Sequence, residues 1–321
     1  MGDHGKSLLR RLTGFREFMV LMAVIVLSII IYAFNQNFLT PYNIQVIVRQ
    51  VAIFGILGIA ETAVIITGGI DLSPGSMLAF NGVMVGLLMM WGVDAPLAIL
   101  TLLVLCIVIG LYHGAMITRL GLVPFIVTLG SLSIFRGIAV VSTQGYPIRI
   151  QNEFFLWIGQ GLVLGIPVPL FILLAVALTM NYILNQTPLG RYIYAIGGNR
   201  EAARLSGIPV RRVLTFVYVQ ATVLFGISAI ILAARLGQGM PGVGIGYELN
   251  AIAAAIIGGT SMYGGIGTVL GTIIGATMMA LIDNLLVLLR VEPWWSELII
   301  GIVIVTAVTV DMITTRKRLS D

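Results

Sequence analysis

The chain has 321 residues, 59% of them hydrophobic and only 10% charged, with a mean hydropathy of +1.06. A water-soluble domain is about a quarter charged, so this composition excludes one and leaves an integral membrane protein. The net charge of +5 is concentrated in basic segments between apolar runs, the pattern of cytoplasmic loops, so nucleic acid is set aside as a partner.

A membrane-crossing helix needs roughly 20 apolar residues. Ten hydrophobic segments meet or approach that length: 18–34, 46–67, 72–91, 96–118, 122–143, 166–184, 213–236, 249–262, 267–289 and 295–312. The predicted fold class is therefore all-α, a polytopic membrane helical bundle read as one domain over residues 1–321. The eighth segment is short and rich in Ala and Gly, which suits a half-span or a broken helix. The N-terminal tail, 1–17, carries Lys6, Arg10, Arg11 and Arg16 ahead of an apolar run without a small-x-small cleavage pattern. This reads as an uncleaved first span that starts in the cytoplasm. Ten crossings return the C-terminal tail, 313–321, to the same side. Of the 18 Lys and Arg, all but Arg49, Arg136, Arg149, Arg235 and Arg290 then fall on the cytoplasmic side.

The string GGIDLSPGS, residues 68–76, interrupts two apolar helices. Gly68 and Gly69 end the first, and Ser73 at the N-cap with Pro74 at N1 starts the second. Asp71 lies one turn before that start. It either caps or ties the break, or belongs to a gate on a solute path of the kind broken helices line. Arg136 stands inside the fifth segment. A guanidinium there costs about 2.5–3.5 kcal/mol on insertion scales and must face protein or a water-filled cavity, in an ion pair or in a pathway. Glu61, Asp71 and Asp283 are the acids in or near spans. Asn250 is one of several uncharged polar residues that either bond between helices or line a route for a hydroxyl-rich solute.

Thr187–Arg212 is the long polar stretch at mid-chain, within a loop over 185–212, and it holds five arginines. It spells a short helix. Asn199 is a good N-cap, Glu201 sits in the first turn, and Ala202, Ala203, Arg204 and Leu205 are helix formers. Ser206 precedes Gly207, which suits a left-handed C′ position, and Pro209 stops continuation. So short a helix is not stable alone, and Ala202, Leu205 and Ile208 are expected to share the side that rests on something. Gly267, Gly271 and Gly275, Gly82 with Gly86, and Gly110 with Gly114 repeat a G-x-x-x-G spacing that serves an intrachain contact or a dimer equally well.

Several chemistries are unsupported. Gly5-Lys6-Ser7 lacks the rest of a phosphate loop, and Gly242–Gly246 has no βαβ context. Cys106 is the only cysteine, and His4 and His113 are too few and too isolated for a metal cluster or a triad. No enzyme, cofactor or metal is expected.

The strings ITGGIDLSPGS, TPLGRYIYAIGGNREAARLSGIPV and GYELNAIAAAIIGGTS, followed by YGGIGTVLGTIIGA, closely resemble the permease subunit of ribose-type sugar ATP-binding cassette (ABC) importers. The resemblance runs from about Phe38 to the last span. It implies a bacterial inner-membrane subunit that pairs with a second permease, a cytoplasmic ATPase with two nucleotide-binding modules, and a periplasmic sugar-binding protein. It also implies that the mid-chain loop carries the helix that docks on the ATPase, a role that falls on Asn199, Glu201, Ala202, Arg204, Leu205, Ser206 and Gly207. Asp71 and Arg136 match family positions to which it gives no defined role; with Ser73 and Asn250 they are the candidate pathway or gate residues. The competing expectation is an ion-coupled secondary sugar transporter that acts alone.

Overall fold

The computed structural model describes residues 3–291 and, beyond them, 295, 298, 299, 301, 302, 305, 306 and 309, with side chains from residue 17 onward. Most of the tenth apolar segment, 295–312, and the tail 313–321 lie outside the described residues.

Twelve helices are named among them: α1 (Asp3–Phe34), α2 (Pro41–Ile66), α3 (Pro74–Met90), α4 (Ala95–Thr118), α5 (Pro124–Thr143), α6 (Glu153–Gln160), α7 (Val168–Gln186), α8 (Pro188–Gly198), α9 (Arg200–Leu205), α10 (Val210–Leu236), α11 (Tyr247–Ile257) and α12 (Val269–Leu288). Four two-residue strands form two small antiparallel pairs. One pair sets Ile148 opposite Gly239 and joins the loop after α5 to the loop after α10. Seven helices are long and apolar enough to cross a membrane, and α3 and α11 are shorter apolar helices. The chain is a polytopic helical membrane protein. The first nine predicted segments each overlap one of these nine helices. The basic tail and first span are continuous, because α1 begins at Asp3 and its crossing window covers Glu17–Phe34.

The centre of the bundle is α2, which packs on α7, α10, α11 and α12. From Ala52 to Ile66 every residue is buried, and apart from Glu61 and Thr62 the sequence there is apolar on all sides, as an enclosed helix requires. Helices α3 and α10 complete this inner layer. Helices α1, α4, α5 and α7 form the outer layer and turn Leu97, Leu100, Val104, Val108 and Leu178, among others, away from the protein. Water would oppose such a surface; lipid accepts it, and the backbone bonds closed inside each helix meet lipid's other demand.

The G-x-x-x-G pairs resolve as contacts within the chain. A Cβ on Gly271 or Gly275 would run into the backbone carbonyls of Gly258 and Ala254, so these glycines press α12 against α11. Gly110 and Gly114 do the same for α4 against Val219 and Thr215 of α10. Without side chains in the way, the backbones gain van der Waals contact along their length.

Helix α11 has 11 residues, about 16 Å at 1.5 Å per residue, against a hydrocarbon core of about 30 Å. The expectation of a half-length helix there is met. Its start faces the start of α3. A Cβ on Gly75 would collide with the Gly244 carbonyl and with the Glu248 carboxylate. Two helix N-termini, each preceded by non-helical chain, therefore meet inside the bundle.

Candidate functional site

The mid-chain loop folds as its sequence spells it. Thr187 caps α8 by accepting from the Gly190 N–H, and Asn199 caps α9 by accepting from Ala202 N–H at 2.9 Å. At the other end Gly207 adopts φ +81°, and Ile208 N–H bonds back to the Ala203 carbonyl, closing a Schellman turn that satisfies the last carbonyls. The face that rests on the protein is not the one expected. Ala203 is buried and Ile208 half-buried, whereas Ala202 and Leu205 are exposed, Leu205 by 75%. The Schellman turn brings Ile208 over Ala203, one position away from the face a continuous helix would bury. Beside Leu205, Arg204 and Glu201 form an exposed ion pair, and this bonding holds the Glu201 carboxyl below the usual carboxylate range. Ser206 ends the helix, also exposed. Glu201, Ala202, Arg204, Leu205 and Ser206 together form a surface free of intrachain cover.

Helix α8 anchors this surface to the core. A Cβ on Gly197 would overlap the Ile66 carbonyl at the end of α2. That same carbonyl accepts from Gly265 N–H at 2.8 Å, in the connection between α11 and α12. Tyr194 of α8 donates its hydroxyl to the Gly267 carbonyl at 2.7 Å, and burial pushes its phenol up to about 12. The local sequence did not single out Gly197 or Tyr194, because the groups they meet are backbone atoms more than sixty residues away.

At the break between α2 and α3, Asp71 Oδ1 accepts from Ser73 N–H at 2.7 Å and from Ser73 Oγ at 2.6 Å. Asp71 thus ties the break. Ser73 stands at the N-cap position with Pro74 after it, but its side chain makes no cap bond, because Asp71 has captured the hydroxyl. Arg136 donates to three backbone carbonyls: Pro241 at 2.8 Å, Val243 at 2.6 Å and Gly75 at 3.1 Å. It clasps the two helix starts that meet in the bundle. Glu61, Asp71 and Asp283 are not among its hydrogen-bond partners.

His113, expected to be isolated, is not. Its Nε2 lies 2.7 Å from Ser131 Oγ and its Nδ1 4.0 Å from Asp71 Oδ2. Ser, His and Asp in that order resemble a hydrolase triad. Yet none of the three is more than 1% exposed, so no substrate reaches Ser131, and 4.0 Å is too long for the orienting bond.

Asn250 is 4% exposed, with its Oδ1 unbonded, and it faces a cavity of about 820 Å³ between α2, α11 and α12. Asn43, Gln50, Arg235, Tyr247 and Asp283 also line it. Asn43 and Asn284 exchange two amide bonds across it, at 3.1 and 2.7 Å, and Arg235 donates to Gln50 at 2.8 Å. Amides and a phenol around an apolar floor, with one cation at Arg235 and one acid at Asp283, suit a polar solute. Asp71, Ser73 and Arg136 do not line this cavity. Among the described residues no group of His, Cys, Asp and Glu has the makings of a metal site.

A multi-pass bundle with broken inner helices, a cavity between them and an exposed short helix at mid-chain fits the class of transport permeases. Residues 43–308 match the family described as branched-chain amino acid transport system / permease component, and the chain belongs to that family. It is similar to the ribose import permease protein RbsC of Bacillus subtilis, 41% identical over 90% of this chain and 91% of that one. The D-allose transport system permease protein AlsC of Escherichia coli is 37% identical over 91% of each. The L-arabinose ABC transporter permease protein AraH of Azospirillum brasilense is 32% identical over 94% of this chain and 87% of that one. No solved structure matches. The chain is a multi-pass permease of the inner membrane and a transport subunit, not itself an enzyme.

Proposed function

We propose that the chain is the permease subunit of an ABC importer that forms the path for a monosaccharide. A separate cytoplasmic ATPase with two nucleotide-binding modules drives it, a periplasmic sugar-binding protein supplies the solute, and a second permease completes the membrane body. The observation that carries this reading is the opposition of the two sides of the mid-chain loop. Leu205, Arg204 and Glu201 project outward with no intrachain cover, while Gly197 and Tyr194 are locked to the ends of α2 and α12. A helix built so is a lever: what grips its outer face moves the innermost helix of the bundle. The sugar class rests on the relatives, whose names specify ribose import, D-allose transport and L-arabinose transport, and on the amides of Asn43, Gln50 and Asn250 that line the cavity.

The same reading completes the topology. The non-helical stretch 237–246 and α11 together make one crossing, as do 67–73 and α3. Ten crossings with both tails in the cytoplasm then place α8 and α9 where an ATPase reaches them. Asp71, with Ser73, and Arg136 hold the two broken crossings together, and Asn250 faces the solute. Pull-down from solubilised membranes tests the assignment: a soluble ATPase and a sugar-binding protein are expected to co-purify. The buried acids near α2 favour a second reading, an ion-coupled transporter acting alone. Ion-gradient-driven sugar uptake by the lone chain in liposomes would establish that reading and overturn the first.

A further inference from the structure

Four titratable side chains meet where α2 ends, and none of them lines the cavity. Glu61 comes from α2, Asp71 from the turn before α3, His113 from α4 and Tyr218 from α10; the first three are 0% exposed and Tyr218 is 1%. The His113 and Tyr218 rings stand edge to face, with centroids 6.3 Å apart. Arg200 of α9 is exposed on the loop side, and its charge acts on the phenol. Among the described residues neither acid has a Lys or Arg within 4.0 Å. Both oxygens of Glu61, Asp71 Oδ2, His113 Nδ1 and the Tyr218 hydroxyl make no hydrogen bond of normal geometry, and the Asp71 amide faces Glu61 at longer range.

Two carboxylates in one dry site, with no Lys or Arg against them, do not both stay ionised without a proton in the site. The hydrogen bonds decide where it sits. Asp71 Oδ1 already accepts two hydrogen bonds from Ser73, at 2.6–2.7 Å. Glu61 takes none at that range. We propose that Glu61 carries a resident proton and that Glu61, Asp71, His113 and Tyr218 form a buried proton site at the joint between α2 and α3. The joint is intact while the proton is held. A bundle state that lets water into the joint releases it, so proton occupancy favours the dry, packed joint, and this stabilisation is present at low pH and lost as pH rises.

Infrared spectroscopy of the full permease in lipid nanodiscs tests the assignment. At neutral pH the wild type is expected to show the carbonyl stretch of a protonated carboxylic acid, which Glu61→Gln removes and Asp283→Asn leaves in place. The melting temperature of the wild type is expected to fall by several degrees from mildly acidic to mildly alkaline pH, and Glu61→Gln to flatten that slope. Absence of a protonated-acid band in the wild type overturns the proposal without recourse to any variant. A band unchanged in Glu61→Gln also overturns it, as does a sodium-dependent rise in melting temperature confined to the wild type, which would place a metal cation in the site. None of these readouts depends on a partner binding α9, so this inference and the importer assignment fail separately.

Discussion

The backbone carbonyl of Ile66 occupies the space that a side chain on Gly197 would need. Through this contact the mid-chain loop reaches the last turn of α2, whose second half is fully buried. Gly197→Ala has to push α8 off that turn. Overpacking of this kind costs about 1–3 kcal/mol. The expected result is a fall in sugar uptake together with a lower melting temperature, while ATPase captured by the exposed face of α9 remains at wild-type levels. Uptake and co-purified ATPase measured on one preparation check this.

Leu205 shows the reverse behaviour. It is 75% exposed and supports nothing inside the chain. Leu205→Asp should leave thermal stability within about 0.5 kcal/mol of the wild type. An apolar anchor at the centre of an interface contributes more than about 1 kcal/mol, so ATPase capture should weaken roughly tenfold. Quantitative pull-down against a melting curve separates the two effects.

Tyr194→Phe removes one hydroxyl and leaves the Gly267 carbonyl without its donor. A hydrogen bond of this kind contributes about 0.5–1.5 kcal/mol. The variant should assemble normally and import less sugar for each ATP hydrolysed, because the loop between α11 and α12 no longer follows α8. The ratio of uptake to hydrolysis in proteoliposomes reads this directly.

The Glu201 carboxyl sits below its ordinary range because Arg204 bonds it. The pair is therefore present above that range, and it is lost only as pH falls through the lowered value. ATPase capture is expected to be flat through neutral and mildly acidic pH and to decline only in stronger acid. In Glu201→Gln that acid decline should be absent.

Much of this site was legible because its signals are local. Asn199, Gly207 and Pro209 write the two ends of α9 within eleven residues, and each does in the structure what its chemistry predicts. The buried face was misassigned because the Schellman turn resets the register at Ile208. Arg136 could not be matched from sequence: its partners are carbonyls, which every residue carries. Asp71, His113 and Ser131 come from three segments that only the fold brings together. The G-x-x-x-G glycines announced close packing, and their partners on α11 and α10 depend on which helices are neighbours.

The direct test of the central claim uses the lone cysteine, Cys106, which is fully buried and gives a silent background. A Leu205→Cys variant is treated with a membrane-impermeant maleimide in inside-out and right-side-out vesicles. Labelling only in inside-out vesicles, and protection when the ATPase is bound, is the predicted result. Labelling from the right-side-out face, or labelling that bound ATPase leaves unchanged, would contradict it.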